Sequence, residues 1–241
     1  MSPADIIRNA QSMELVDEDG EVFALSLLPP LSDPEVDAFA ESLPCPLPDD
    51  ISELLRFCRG FEDVGADQVD FTGRDLDFAH EVIFPYGIPI ASDGFGNFWV
   101  VDLNPDSSEF GPVYFACHDA PVILYQCKTV GELLAELFKM CVPPHKSLVD
   151  DVHEDRIRNV WSTNPEVIDY DVCVKSSDTI LSAFAATLDS SWQFIDLRKA
   201  EPGDGFSWGR YGPQTNIRRC GDHPVFAYQI RRGFFGRLFG A

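Results

Sequence analysis

The sequence predicts an α+β fold in which a mainly antiparallel sheet is flanked by helices, with a C-terminal α+β extension. Short apolar segments separated by Gly, Pro, Asn and Asp occupy the middle of the chain, and stretches with helical apolar spacing lie on both sides of them. The 241 residues are 45% hydrophobic and 12% aromatic, which is enough to fill a core despite a net charge of −22.

The N-terminal part predicts a hairpin followed by two helices. Alternating apolar residues on either side of Asp19-Gly20 predict a β-hairpin. Ser32 and Glu35 have the spacing of a capping box at the start of an apolar-periodic stretch, which predicts the first helix. Residues 51–58 place apolar side chains on one helical face and predict the second.

The middle of the chain predicts a loop, then a sheet, then a third helix. The stretch 61–81 is acidic and rich in turn residues, which predicts an exposed loop region that leaves room for a short strand. Thr129 and Glu132 predict another capping box, and the helix that they begin ends before Pro143-Pro144. Between the loop and this helix we expect antiparallel strands, at Val82 to Phe84, Ile88 to Ala91, Phe98 to Leu103, Val113 to Ala116 and Val122 to Tyr125.

Residues 143–146 predict a linker to a second α+β region. Helical spacing recurs at 152–161 and 180–188, and strand-like segments follow at 192–197, 216–219 and 225–230. We therefore expect three parts: an N-terminal hairpin (1–30), a central domain (31–145) and a C-terminal extension (146–241) that packs on the first part.

The charge of the chain is unevenly distributed. The first 191 residues carry 10 basic and 36 acidic residues, a net −26, whereas the segment from Trp192 onward carries 8 basic and 4 acidic residues, a net +4. Such an acidic body repels nucleic-acid phosphates and anionic lipid, and it attracts a basic protein partner at low salt. Solubility alone accounts for the charge equally well. We expect the basic C-terminal segment to be drawn onto the acidic body.

Cysteine usage and the N-terminus predict a soluble cytoplasmic protein. The seven cysteines are scattered and odd in number, and no CxxC pair occurs, which is typical of reduced core thiols. The N-terminal residues do not have the pattern of a secretory signal, and no run approaches 18 apolar residues.

The run "ASDGFGNFWVVD" at 91–102 raises the question of a phosphate-binding loop. A dinucleotide loop needs a third glycine where Trp99 stands, and a helix where β-branched and aromatic residues follow. Gly94 and Gly96 instead predict a turn between two strands. The oxygen-rich run that begins at Asp102 does not fit a calcium loop, because Ser107 and Val113 occupy the positions of the required Gly and Glu.

No catalytic, metal or cofactor site is predicted. The five histidines show no metal-binding spacing. Cys117, His118 and Asp119 have the residue types of a catalytic triad, but the members of a triad are adjacent in space and seldom in sequence. The basic, aromatic tail at 229–241 either packs on the acidic body, which we expect, or forms a small amphipathic element that touches a membrane or a partner. We expect a protein that is not an enzyme, with no cofactor, no nucleic-acid partner and no membrane partner.

Several motifs from Asp33 to Cys141 occur in the order and at the intervals of a known family. They are Leu47-Pro48 before the second helix, "DGFGNFWVVDL", "GPVYFACHD" and the final "TVGELLAELF". In these the chain resembles the SUKH superfamily, which includes the fungal cell-wall assembly regulator domain and many bacterial immunity proteins. Arg59 stands before Gly60 where the family commonly has asparagine. The resemblance implies an α+β domain without known catalytic residues, and a binding module that neutralises toxin domains, often nucleases.

Two functions follow as hypotheses. The first is an immunity-type protein that binds and blocks a toxin domain such as a basic nuclease, because the body is acidic. The second is a regulatory or scaffolding protein of a pathway such as cell-wall assembly. For either, aromatic anchors and steering carboxylates predict a partner-binding surface formed by Phe61, Asp63, Asp67, Asp70, Phe71, Asp75 and Asp77.

Overall fold

The elements of the fold are taken from a computed structural model of the chain. It describes residues 1–17, 19–62, 64, 66–78, 82–118, 120–209 and 215–230, with the backbone alone at 154. The helices are α1 (Pro3–Ala10), α2 (Asp33–Ser42), α3 (Asp49–Phe57), α4 (Val130–Met140), α5 (Leu148–Asp150), which continues through a π-helical turn (Asp151–Arg156) into α6 (Ile157–Thr163), α7 (Tyr170–Val174) and α8 (Thr179–Ala186).

Antiparallel pairing joins the strands throughout. The strands are β1 (Leu15–Val16), β2 (Val22–Phe23), β3 (Gly60–Glu62), β4 (Gln68–Asp70), β5 (Gly87–Ser92), β6 (Phe98–Asp102), β7 (Val113–Cys117), β8 (Val122–Cys127), β9 (Ile168–Asp169), β10 (Trp192–Asp196), β11 (Gly205–Ser207), β12 (Ile217–Arg219) and β13 (Val225–Gln229). The described residues form a small hairpin of β1 and β2, a seven-stranded sheet in the order β11-β8-β7-β6-β5-β4-β3, and a four-stranded sheet in the order β12-β13-β10-β9. The predicted α+β class is confirmed.

Side-chain caps begin α2 and α4 where the sequence predicts them, and the structure adds two helices outside the predicted ones, α1 and α7. The Ser32–Glu35 capping box begins α2, and the Thr129 hydroxyl accepts a hydrogen bond from the Glu132 N–H at 3.1 Å at the start of α4. The N-terminal part is more than the predicted hairpin, because the Ser2 hydroxyl caps α1 before β1 begins. This helix buries Ala4, Ile7 and Ala10 against α3 and α4.

The described part of the stretch 61–81 is less exposed than predicted, and it contains residues of two strands where the sequence allows for one. Its first part contains β3 and β4, which extend one edge of the seven-stranded sheet. Conversely, Val82 to Phe84 is not a strand, because the chain turns there and the Gly87 N–H donates to the Phe84 carbonyl at 3.0 Å. Ile83 and Phe84 are nevertheless buried, so their apolar character reflects packing and not sheet pairing.

The two faces of the seven-stranded sheet bury different partners. On β7, Phe115 and its alternate neighbours face the core formed with α1, α3 and α4. Tyr114 and Ala116 point to the opposite face, as the period of two requires. All five residues of β7 are buried, because both faces are covered.

The C-terminal extension contributes to both faces: its α5–α6 segment buries Val149, Val152 and Val160 in the cluster of the first face, and its strands cover the second face. Ile195 of β10 and Phe226 and Tyr228 of β13 pack with Tyr114 and its neighbours in one apolar cluster. The outer face of the four-stranded sheet packs on α7 and α8. In addition, β11 pairs with β8 and becomes an edge strand of the larger sheet. The described chain is therefore layered as helices, sheet, sheet and helices.

A buried ion pair joins the two sheets. Nη1 and Nη2 of Arg219, on β12, each lie 2.8 Å from an oxygen of Asp102 at the end of β6, and the two side chains are 5% and 4% exposed. The guanidinium also donates to the backbone carbonyls of Ile83, Asp222 and His223. Burial raises the pKa of the Asp102 carboxyl, and the hydrogen bonds from Arg219 oppose that shift.

Candidate functional site

The two aromatic residues of the predicted partner surface belong to the core. Phe61 and Phe71 are 0% and 1% exposed. The ring of Phe61 lies 6.3 Å from that of Phe71 and 5.3 Å from that of Phe138 on α4, measured between centroids. Because strand β3 directs the Phe61 ring toward the helices, neither aromatic is available to a partner. Their prediction as anchors is wrong.

Asp70 is a structural carboxylate and not a contact residue. It is fully buried, and its Oδ1 accepts hydrogen bonds from the Thr72 N–H at 2.9 Å and the Thr72 hydroxyl at 2.6 Å. Arg59 Nε lies 3.6 Å from Asp70 Oδ2, and Arg59 Nη2 lies 2.8 Å from Asp75 Oδ2. The acid density of this stretch therefore partly reflects an internal ion-pair network.

Three of the predicted acids are exposed, but they do not form one patch. Asp67 precedes β4, whereas Asp75 and Asp77 follow it, so the strand separates them. Asp63 lies outside the described residues. A partner-binding role for these acids remains a prediction, and Asp67 is the one that joins a larger group of residues.

Three loops meet at one end of the seven-stranded sheet, which we name the turn end. They connect β3 to β4, β5 to β6, and β7 to β8, and the antiparallel register places all three at the same end. Four aspartates and no lysine or arginine occur in these loops. The structure describes two of those aspartates, Asp67 and Asp93. The turn end is defined by the described residues of these loops, which are 64, 66–67, 93–97, 118 and 120–121.

The loop at 93–97 is a hydrogen-bonded turn. Asp93 Oδ1 accepts from the N–H groups of Phe95 at 2.9 Å and Asn97 at 3.2 Å, and Asp93 Oδ2 accepts from the Asn97 side-chain amide at 2.6 Å. Asn97 Oδ1 in turn accepts from the His118 N–H at 2.9 Å, which ties the turn to the neighbouring loop. Strand β6 follows directly. The glycines of this motif thus form the predicted strand connection.

The two glycines of this turn have positive φ and lie close to side chains of neighbouring loops. Gly94 and Gly96 have φ values of +76° and +88°, which favour glycine. A Cβ on Gly94 would lie 3.1 Å from Asp67 Cγ, and one on Gly96 would lie 3.0 Å from His118 Nδ1. Phe95 stands between them and is 78% exposed. Sequence reasoning used these glycines to predict a turn but did not identify Phe95 as a surface residue.

The other residue groups weighed from the sequence do not assemble a reactive centre among the described residues. Cys117 is buried whereas His118 is exposed, and Asp119 lies outside the described residues, as does the tail at 231–241. All seven cysteines are described and are free thiols, and burial raises the pKa of Cys58 to about 12. Within the described part of the chain, no group of three or more His, Cys, Asp or Glu side chains could hold a metal ion.

The N-terminal surface has many carboxylates and few free cations. Residues 1–62 contain fourteen acids and three arginines. Each arginine is already bound to carboxylates: Arg8 to Asp5 and Glu53, Arg56 to Asp33, and Arg59 to Asp70 and Asp75. The remaining carboxylates leave this part of the molecule strongly negative. None of the described helices has the length and apolarity that crossing a bilayer requires.

Comparison with known proteins finds a family match for the central part of the chain. No curated protein matches the chain. Residues 30–136 match the sequence model of the SMI1 / KNR4 family (SUKH-1), from just before α2 into α4. The match includes the turn end and stops before the C-terminal extension. SUKH domains are protein-interaction modules, which supports a protein partner in general terms. The resemblance of this central part to the SUKH superfamily is therefore confirmed for residues 30–136.

Proposed function

We propose that this chain is a non-enzymatic immunity-type protein that binds and neutralises a toxin domain with a basic surface, such as a nuclease, in the cytoplasm. The observation that carries the proposal is the acidic surface of residues 1–62, whose three arginines are already bound to carboxylates. No compensating cation remains in that segment to attract an acidic partner. The SUKH assignment supports the protein-binding part of the proposal.

The charge sets an expectation for the kinetics of binding. A negative surface steers a positively charged partner and raises the association rate, and salt screens this effect over about 8 Å at physiological ionic strength. Association with a basic toxin domain should therefore slow steeply as salt is added. Dissociation depends on the buried contacts and should change less.

A direct test pairs the chain with the toxin-like domains encoded by neighbouring genes. Each domain is produced in cells with and without this protein, and survival is scored. The expected result is that one basic domain is toxic alone and harmless when co-produced, and that the purified pair forms a complex whose association rate falls with salt. Survival that never depends on this chain, with no complex formed, would refute the proposal.

The exposed acids near β4 provide a sharper test. Replacing Asp67, Asp75 and Asp77 by Asn should slow association and change the melting temperature little, because these side chains are exposed and the Asp75–Arg59 pair, half-exposed at Asp75, contributes at most about 1 kcal/mol. Asp70→Asn serves as a contrasting variant, since its carboxylate is buried against Arg59 and its loss should lower stability. An unchanged association rate in the triple variant would place the steering charges elsewhere.

The alternative function is a regulatory or scaffolding role in a cellular pathway such as cell-wall assembly. The match to the SMI1 / KNR4 family favours it, because the fungal members of this superfamily include cell-wall assembly regulators. Affinity purification from cells without any toxin gene separates the two functions. A stoichiometric housekeeping partner would support the regulatory role.

A further inference from the structure

The side chain of Phe95, at the turn end, is largely exposed to solvent. Phe95 is 78% exposed, and no other Phe, Tyr or Trp among the described residues is more than half exposed. The next are Tyr86 at 42% and Trp161 at 37%. A polar residue would satisfy this turn position equally well, because the Phe95 N–H, and not its ring, makes the turn hydrogen bond.

The ring is presented by a preorganised backbone. Asp93 and Asn97 close the turn through side-chain hydrogen bonds, and Asn97 is itself 6% exposed. His118 and Asp67 lie against the two glycines on either side of Phe95. A side chain whose backbone is fixed before binding loses less conformational entropy when a partner buries it. Buried aromatic anchors of this kind carry a large share of the energy in protein interfaces.

The charge around Phe95 indicates the chemistry of its partner. The exposed Asp67 lies against Gly94 and the exposed His118 lies against Gly96. The Asp93 side chain is 13% exposed, because its carboxylate accepts hydrogen bonds within the turn and lies 3.7 Å from His153 Nε2. The loops of the turn end contain no lysine or arginine. A pocket that accepts the ring should therefore be apolar at its centre and should carry a Lys or Arg side chain at its rim, where it meets the Asp67 carboxylate.

We propose that Phe95 is the anchor by which the turn end docks into an apolar, basic-rimmed pocket of a protein partner. The inference rests on the proposed function only in requiring a protein partner, and it adds the surface that the partner contacts. It also replaces the buried Phe61 and Phe71 as the aromatic anchors of that surface.

The test uses the full chain in the cells that produce it. A photo-reactive benzophenone side chain, p-benzoylphenylalanine, is introduced in place of Phe95, and in a control in place of Tyr86, and the cells are irradiated. The Tyr86 site is a matched control because it is an exposed aromatic at the start of β5, the opposite end of the strand from the turn. The expected result is one crosslinked protein at position 95 and none at position 86.

The captured protein is then purified and its affinity is measured for the wild-type chain, Phe95→Ala and Tyr86→Ala. Phe95→Ala should weaken binding at least about tenfold, equivalent to about 1.4 kcal/mol, and Tyr86→Ala should change it less than about twofold. The melting temperatures of both variants should match the wild type, since both rings are exposed. The wild-type affinity should fall between about 0.05 and about 0.5 M NaCl.

The possible failures are distinguishable. A partner that binds wild type and Phe95→Ala equally would overturn this inference and leave the proposed function intact. A partner whose affinity depends on Phe95 but does not change with salt concentration would refute the proposed basic rim of the pocket. If neither crosslinking nor affinity purification with the wild-type chain yields any partner, the proposed function fails and this inference fails with it.

Discussion

Removing Arg219 should loosen the contact between the two sheets. In Arg219→Met the Asp102 carboxylate loses both hydrogen bonds from the guanidinium while it stays 4% exposed. Breaking a buried pair from one side costs about 3–5 kcal/mol, because a charge remains buried without its partner. In a protein of 241 residues each kcal/mol corresponds to about 2–4 °C, so the melting temperature should fall by roughly 6–20 °C.

The size of this loss should depend on pH. Burial already raises the pKa of Asp102, and without Arg219 that pKa rises further. A carboxyl whose folded pKa exceeds its unfolded pKa destabilises the fold progressively as pH rises between the two values. The deficit of Arg219→Met should therefore be smallest near about pH 4 and largest at neutral pH and above.

Urea unfolding at several pH values measures these quantities. Arg218→Met is the matched control, since Arg218 is the exposed neighbour on β12 and its guanidinium lies 5.8 Å from the Trp192 ring, a contact worth about 0.5–1 kcal/mol. The double variant Asp102→Leu/Arg219→Met should recover a large part of the loss, because an apolar pair replaces the ionic one. A loss in Arg219→Met no larger than that in Arg218→Met would refute the reasoning.

Three further outcomes are expected. Phe61→Ala should lower the free energy of unfolding by about 3–5 kcal/mol in urea, whereas Asp67→Asn should change it by less than about 0.5 kcal/mol; similar effects would contradict the burial of the ring. Hydrogen bonds from Arg198 lower the pKa of Asp196, so the ion pair stabilises the fold at neutral pH and this stabilisation is lost as pH falls through the lowered pKa. The difference in melting temperature between wild type and Arg198→Leu should therefore narrow below about pH 4. A difference that stays constant with pH would argue against the pair. An aromatic disulfide reagent should modify Cys220 first, because it alone among the seven thiols is not fully buried, and fast reaction of a second native thiol would contradict the core assignment.

The parts of the fold that depend on local rules could be predicted from the sequence. The Ser32–Glu35 spacing begins α2, and the Thr129 hydroxyl begins α4, because a cap needs only residues within one turn. The alternation of Phe226 and Tyr228 with their neighbours likewise matches a strand with one face in the cluster between the sheets. Ser2 and Pro3 are a signal of the same local kind for α1, since the Ser2 hydroxyl caps the helix and Pro3 lies in its first turn.

The acidic stretch after Gly60 shows what local rules miss. A high density of acids predicts exposure, yet Asp70 is buried because Thr72 and Arg59 bind it. The strands β3 and β4 are three residues long, which is too short to show an alternating apolar pattern. Their pairing with each other and with β5 is therefore not visible in the local sequence. Phe61 and Phe71 were therefore assigned to the surface although they fill the core.

The candidate site was predictable only in pieces. Gly94 and Gly96 indicated a turn, because positive φ is a local property. The neighbours of that turn, Asp67 and His118, come from other loops and meet it only through the register of the sheet. The exposure of Phe95 follows from that assembly, and so it could not be inferred from its own segment.

During synthesis, one apolar face of the seven-stranded sheet is made well before the residues that cover it. The face of β7 and β8 that carries Tyr114 and Ile123 is covered by Ile195, Phe226 and Tyr228, which emerge from the ribosome roughly a hundred residues later. At a synthesis rate of about 5–20 residues per second, this apolar face stays exposed for on the order of 5–20 s before the covering residues are made. Nascent chains halted before β10 should therefore bind chaperones that the finished protein no longer needs.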